Sequence, residues 1–330
     1  MAVTRKDVAK LANVSEATVS YVLNNKKRVT PEVKQRVLDA AKELNYHPNL
    51  LARSMITKKT RHIAMLVNNI NNPHYSSILS GVQSVAEIEG YIVSLCSVDK
   101  EPKDTIDKLI SRGIDGIIIA LPFSSDFQLL LDDLKVPFAS VNDNLQSDYR
   151  DAIFDMVRCF KEFGHTKLAF LSGLPMKESS HIRYWDFLAA MKENNLQVIP
   201  ELFVDGTGET DEKSGYISAD VLLNRHKQFT GVFCTNDLMA IGAMKRFWEA
   251  GLSIPSDISI VGCDGIITTL YTVPPLSTLN GHAFTLGKDL MYQLLSKMEP
   301  HLEFPVLKQT VRAEFIRRES LSRAKQFIGS

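Results

Sequence analysis

A chain of 330 residues with 45% hydrophobic and 23% charged side chains is long enough for two or three domains and has the composition of a soluble globular protein. No apolar run approaches the roughly 18 residues that cross a bilayer, and residues 1–20 alternate charged with small apolar groups instead of forming a signal peptide, so a cytoplasmic protein with no membrane partner is expected. The formal net charge of zero divides into +8 over residues 1–61 and −8 over the rest, the footprint of a chain that meets phosphate at one end only.

The basic end opens with two short predicted helices. Thr4 stands three residues before Asp7, a capping pattern for a first helix whose apolar positions are Val8, Leu11 and Ala12. Asn13 suits the left-handed residue that ends it, and Val14 turns back into the core. Ser15 is a second N-cap, and Val19, Val22 and Leu23 form the inner stripe of a second helix. Glu16, Ala17, Thr18, Ser20 and Tyr21 are left on the outside, small or hydrogen-bonding, as on a helix laid in the DNA major groove. A polar basic loop, Asn24 to Arg28, leads to Thr30-Pro31-Glu32, which opens a third helix with inner stripe Val33, Val37, Ala40, Ala41 and Leu44. Residues 1–48 thus read as a helix-turn-helix DNA-binding domain. Residues 49–61 read as a hinge and linker, beginning with a two-turn segment, Asn49 to Ile56, too short to persist as a free helix.

From His62 to the end the chain reads as one body. Apolar strands are expected at 63–67, 92–97, 116–120 and 137–141, separated by helices at 76–89, 105–111 and 127–134. The alternation restarts after Gly164-His165, with strands at 167–171, 201–204, 231–234 and 259–262 and helices at 183–193, 215–223 and 238–249. The fold class is α/β: an all-α head and hinge, then a two-lobed body with parallel sheets, the chain crossing between lobes near 161 and 280. Ligands of such folds sit outside the carboxyl ends of the strands. There the sequence places Asn71, Asn72, His74 and Tyr75, then Asn142 and Asp143, then Asn236, Asp237 and Asp264.

Catalytic and metal signatures are missing. No strand is followed by a Walker loop, GxGxxG or GxSxG, and the eight histidines show no HExxH spacing. The four cysteines, Cys96, Cys159, Cys234 and Cys263, are far apart without a CxxC, so no disulfide, metal or cofactor is expected and no enzyme activity is assigned.

Motifs along nearly the whole length then point to a family. The head carries DVAKLANVSEATVSYVLN and the hinge YHPNLLARSM; the body carries INNPHY, KEFGHTKLAFL, VFCTNDLMAIG, SIVGCDG, VPPLSTL and EFIRRESL. Together they resemble the lactose/galactose-repressor family of bacterial transcription regulators. The resemblance implies a homodimer whose heads bind a pseudopalindromic operator and whose bodies bind a small effector: a sugar, a sugar derivative or another metabolite. It places Glu16, Ala17 and Tyr21 at base-reading positions, beside Ser15, and Thr4, Thr18, Ser20, Asn24 and Arg28 at phosphate or groove-edge positions. It makes Asn49 to Ile56 a hinge helix in the minor groove, with Asn49, Ala52 and Met55 at DNA. It places Tyr75, Arg183, Phe233, Asn236 and Asp264 at the effector, to which the strand-end reading adds His74 and Asn142. Tyr21 stands where an arginine is common, Met55 where a leucine is usual, Asn142 where many relatives have aspartate, and Ile153 and Asp186 where glycine is usual. These departures bear on operator choice and count against a plain sugar. Docking of a protein co-regulator on the body stays open. The alternative, a standalone solute-binding protein of the periplasmic type, lacks a use for the +8 head.

Overall fold

The computed structural model describes residues 3–23, 29–46, 59–98, 103–121, 131, 136–141, 147–176, 182–305 and 310–325. The chain forms two compact units, Met1–Thr60 and Arg61–Ser330.

The first unit is a three-helix bundle of α1 (Arg5–Leu11), α2 (Glu16–Leu23) and α3 (Pro31–Glu43). The Asp7 carboxylate accepts the Thr4 amide and hydroxyl at 2.9 and 2.6 Å, closing the start of α1. Asn13, at φ 52°, is the left-handed residue of a Schellman ending, with the Val14 amide on the Ala9 carbonyl at 3.0 Å. Ser15 Oγ then accepts the Thr18 amide and starts α2. Asn45 ends α3 in the same way. The core is Val8, Ala9, Ala12, Val19, Val22, Val37, Ala40 and Ala41. Leu11, expected inside, is 46% exposed, and the buried stripe of α1 runs through Val8, Ala9 and Ala12 instead.

The second unit has two sheets. The first lobe orders its strands β2-β1-β3-β4, all parallel: β1 (His62–Val67), β2 (Ile92–Ser97), β3 (Gly116–Ile119) and β4 (Phe138–Ser140). Alternation along β1 sends Ile63, Met65 and Val67 to one face and Ala64 and Leu66 to the other, and helices cover both, which is why the run is apolar throughout. α4 (Pro73–Glu89) packs on one face and α5 (Lys103–Ser111), through Ile106, on the other. α4 begins three residues before the expected start, because Asn72 caps it and Pro73 occupies its first turn.

The second lobe orders its strands β10-β9-β8-β7-β5-β6. These are β5 (Leu168–Leu171), β6 (Phe203–Val204), β7 (Gly231–Cys234), β8 (Ser259–Asp264), β9 (Ser277–Asn280) and β10 (Glu314–Ile316), the last antiparallel. Its helices are α6 (Arg150–Glu162), α7 (Ile182–Glu193), α8 (Glu212–Asn224) and α9 (Asp237–Glu249). α10 (Ala283–Met298) returns to the first lobe and lies against α4 so closely that a Cβ on Gly287 would sit 2.0 Å from the Ile78 carbonyl. α6, β9, α10 and β10 escaped the sequence reading; the expected helix at 127–134 falls mostly outside the described residues.

The first crossing corrects an expectation. β4 belongs to the first lobe's sheet, whereas α6 already packs in the second lobe through Ile153, Met156, Val157 and Phe160, so the crossing precedes Arg150 and is not near 161. It crosses back at Gly281-His282 and returns to the second lobe before Ala313. The crossings are bonded to one another: Ser147 Oγ donates to the Gly281 carbonyl at 2.6 Å, and Asp148 exchanges main-chain bonds with Val311 and Ala313 at 2.8 Å.

Candidate functional site

On the head, burial of Val19 and Val22 turns the opposite face of α2 outward. Glu16, Ala17 and Tyr21 are exposed, Tyr21 by 45%, while Thr18 and Ser20 are half-buried. The Thr18 and Ser15 hydroxyls share a hydrogen bond of 2.9 Å. Thr4 is exposed at the start of α1, whose Arg5, Lys6 and Lys10 are exposed as well. Asn24, Arg28, Asn49, Ala52 and Met55 lie outside the described residues.

In the body, the strand ends assemble around Arg183. This residue sits on the first turn of α7, where the helix dipole opposes a cation, and the fold supplies a compensating set of partners. Its guanidinium donates to the Thr235 carbonyl beyond β7 at 2.6 Å and to Asp264 Oδ1 at the end of β8 at 3.0 Å. It also lies 4.3 Å over the ring of Tyr149 at the first crossing. Tyr149 reaches there because Gly281 leaves room: a Cβ on Gly281 would fall 2.0 Å from its hydroxyl oxygen. Asp264 adopts φ 120°, strained for a side-chain-bearing residue, and Gly265 follows at 73°, so the chain leaves β8 sharply and aims the carboxylate at Arg183.

His74 and Tyr75 face this pair from the first turn of α4. Burial lowers the His74 pKa, against the pull of Asp264, and burial raises that of Tyr75. Both therefore meet a ligand uncharged near neutral pH. A cavity of about 250 Å³ opens beside them, lined by His74, Ser77, Asp264, Asn280, His282 and Thr285 among others.

Two expected contacts are placed elsewhere. Phe233 is fully buried, its ring centroid 5.5 Å from that of Phe170 and 5.3 Å from that of Phe187, so it belongs to the aromatic core and not to the cleft surface. Asn236 is spent as the cap of α9: its Oδ1 accepts the Met239 amide at 2.9 Å and its Nδ2 donates to the Thr210 carbonyl at 2.8 Å. Asn142 lies outside the described residues. Asp186 binds Arg150 at 2.7 Å and Ile153 is core, so the two departures from glycine serve packing at the crossing.

The sequence marks Asp237 only as a polar strand-end residue. It is wholly buried and pins three elements, accepting the Thr278 hydroxyl at 2.6 Å and the Ile266 amide at 2.9 Å. Burial, then the charge of Asp264, pushes its carboxyl up to about 7. Tyr149, Thr278 and Asn280 gave no signal in the sequence, because their roles come from segments that meet only in the folded body.

A three-helix head with an exposed polar recognition face, joined to a two-lobed ligand-binding body, defines a ligand-controlled transcription regulator. Residues 4–49 match the family model of bacterial regulatory proteins, lacI family, and residues 157–321 match the periplasmic binding protein-like domain. The chain is 33% identical over 308 residues to the HTH-type transcriptional repressor PurR of Histophilus somni strain 129Pt, covering 89% of this chain and 92% of that one. It is 34% identical to the PurR repressor of Vibrio vulnificus strain CMCP6, covering 90% and 92%. Among solved structures it resembles the lac repressor dimer bound to operator and the anti-inducer ONPF, with TM-score 0.81, 25% identity and coverage of 97% and 99%. It also resembles a LacI family regulator from Enterococcus faecium with bound ribose, with TM-score 0.69, 27% identity and coverage of 80% and 100%. The chain belongs to the lacI family of bacterial regulatory proteins. It is a DNA-binding transcriptional repressor under small-molecule control.

Proposed function

We propose that the chain binds a pseudopalindromic operator as a homodimer in the cytoplasm, and that a small polar metabolite in the body cleft sets its affinity. The observation that carries this reading is the division of α2, with Val19 and Val22 inside and Glu16, Ala17 and Tyr21 outside. In it, Glu16, Ala17 and Tyr21 read bases and Thr4, Ser15, Thr18 and Ser20 bind at the groove edge. The same role is proposed for Asn24 and Arg28 from the sequence alone, with Asn49, Ala52 and Met55 in a hinge that folds on DNA.

The effector is assigned to His74, Tyr75, Arg183 and Asp264. Arg183 and Asp264 neutralise each other, and His74 and Tyr75 are uncharged, which favours a neutral ligand rich in hydrogen-bonding groups. No covalent chemistry is assigned to the charged pair. A homodimer is supported by Ile267, Leu270, Tyr271 and Val273, a short run of exposed apolar side chains of the kind that a second copy covers.

The test is fluorescence anisotropy with DNA selected from random sequence by the protein itself, at rising salt. Selective binding that weakens linearly in log–log form is expected; equal affinity for all sequences would refute a sequence-specific regulator. Ala52→Pro, which breaks a short helix, should weaken the selected site while sparing non-selective binding.

A further inference from the structure

The helix that starts at the cavity ends where the body takes over from the tether. α4 has His74 and Ser77 on its first turns, in the cavity wall, and Glu89 as its last residue. Its 17 residues make a rod about 25 Å long. α10 stiffens it, because the two backbones touch: a Cβ on Gly81 would sit 2.0 Å from the Phe284 carbonyl, and one on Gly287 equally close to that of Ile78. Close-packed elements of this kind shift together and do not bend individually.

Arg61, the first residue of the body, holds the far end of that rod. Its guanidinium donates to the Glu89 carbonyl at 3.1 Å and lies 4.8 Å over the ring of Tyr91. Its amide donates to Asp115 Oδ2 at 2.9 Å, and its carbonyl accepts the Ile92 amide at 2.8 Å. The backbone is left-handed, φ 59°, which is unfavourable for a residue with a side chain. An exposed arginine held in a strained conformation by four contacts, to the end of α4, the start of β2 and the approach to β3, does more than begin a strand.

We propose that Arg61 is a positioning residue for operator binding, coupling α4, and through it the effector cavity, to the point where the head's tether leaves the body. This rests on the regulator reading above. A ligand seated on His74 and Ser77 displaces the α4–α10 pair along its length; the Glu89 carbonyl and the Tyr91 ring move with it, and Arg61 follows. The effector then changes operator affinity without touching DNA.

The experiment uses the full chain and an operator fragment selected by the wild-type protein, with hydrogen exchange read at residues 73–78 and 283–288. Coupling is reciprocal, so operator DNA alters exchange around the cavity if the cavity alters operator binding. Arg61→Gly keeps the left-handed backbone and both main-chain bonds while deleting the guanidinium. It is expected to melt like wild type, to bind the operator about tenfold more weakly, and at saturating DNA to show no change around the cavity. Arg61→Lys, which keeps the charge but loses the planar grip, should fall between the two. A wild-type exchange response preserved in Arg61→Gly would overturn the inference, as would a wild-type protein that binds its operator with no response at the cavity. A wild-type protein that selects no DNA sequence would instead remove the regulator reading itself.

Discussion

Removing the Arg183 guanidinium strands a carboxylate. The Arg183 and Asp264 side chains are 26% and 7% exposed, and Asp264 interacts electrostatically with a second acid, the wholly buried Asp237. Arg183→Ala leaves Asp264 with no cation and two acids close together in a region of low polarity. Breaking one side of such a pair costs about 3–5 kcal/mol, and at about 2–4 °C per kcal/mol for a body this large the melting temperature should fall by roughly 6–20 °C. Arg183→Ala combined with Asp264→Asn removes the orphan charge and should recover much of that loss. Thermal unfolding of the wild type, both single variants and the double variant at one pH closes a double-mutant cycle. An interaction energy above about 1 kcal/mol is expected, and additivity within about 0.5 kcal/mol would refute the pairing. Below its melting temperature Arg183→Ala should still bind DNA through its heads and lose the effector response. That outcome separates a ligand contact from a purely structural ion pair.

Asp237 gives a pH dependence. Its folded value of about 7 lies above the ordinary carboxylate value, so the folded body keeps a proton that the unfolded chain releases. That contribution is complete below about pH 4 and is lost as pH rises through about 7, with a slope of up to about 1.4 kcal/mol per pH unit. Asp237→Asn should therefore gain stability relative to wild type between pH 5 and pH 8 in thermal melts, and a constant difference would show that Asp237 does not hold a proton. His165 acts in the opposite sense. Burial lowers its pKa, against the pull of its bond to the Ser322 carbonyl, so its contribution is lost as pH falls below about 6.5, and His165→Gln should flatten that acid limb of the melting curve. Gly287→Ala forces a methyl group against the Ile78 carbonyl and should lower stability by about 1–3 kcal/mol, whereas a neutral result would mean that α4 and α10 separate freely. Tyr21→Ala should change which operators are selected, by about 1–3 kcal/mol of discrimination; uniform weakening on all sequences would make Tyr21 a backbone contact.

Local signals made much of this molecule legible in the sequence. Thr4 with Asp7, Asn13 and Ser15 each act within five residues through their own hydrogen bonds or backbone preference, so the first two helices of the head fall close to where the sequence places them. Apolar runs set β1, β2 and β7 for the same short-range reason. α10 carries no local start signal, because His282, at φ 53°, makes no side-chain capping bond. Phe233, which the family resemblance placed at the effector, lies in a strand covered on both faces and packs in the aromatic core. The cleft itself was decided only in three dimensions. Arg183 and Asp264 are 81 residues apart, Asp237 and Thr278 are 41 apart, and Arg61 meets Asp115 across 54. Strand order and the bonded crossings bring those groups together, and no pattern along the chain encodes a contact whose two halves lie in elements far apart in sequence.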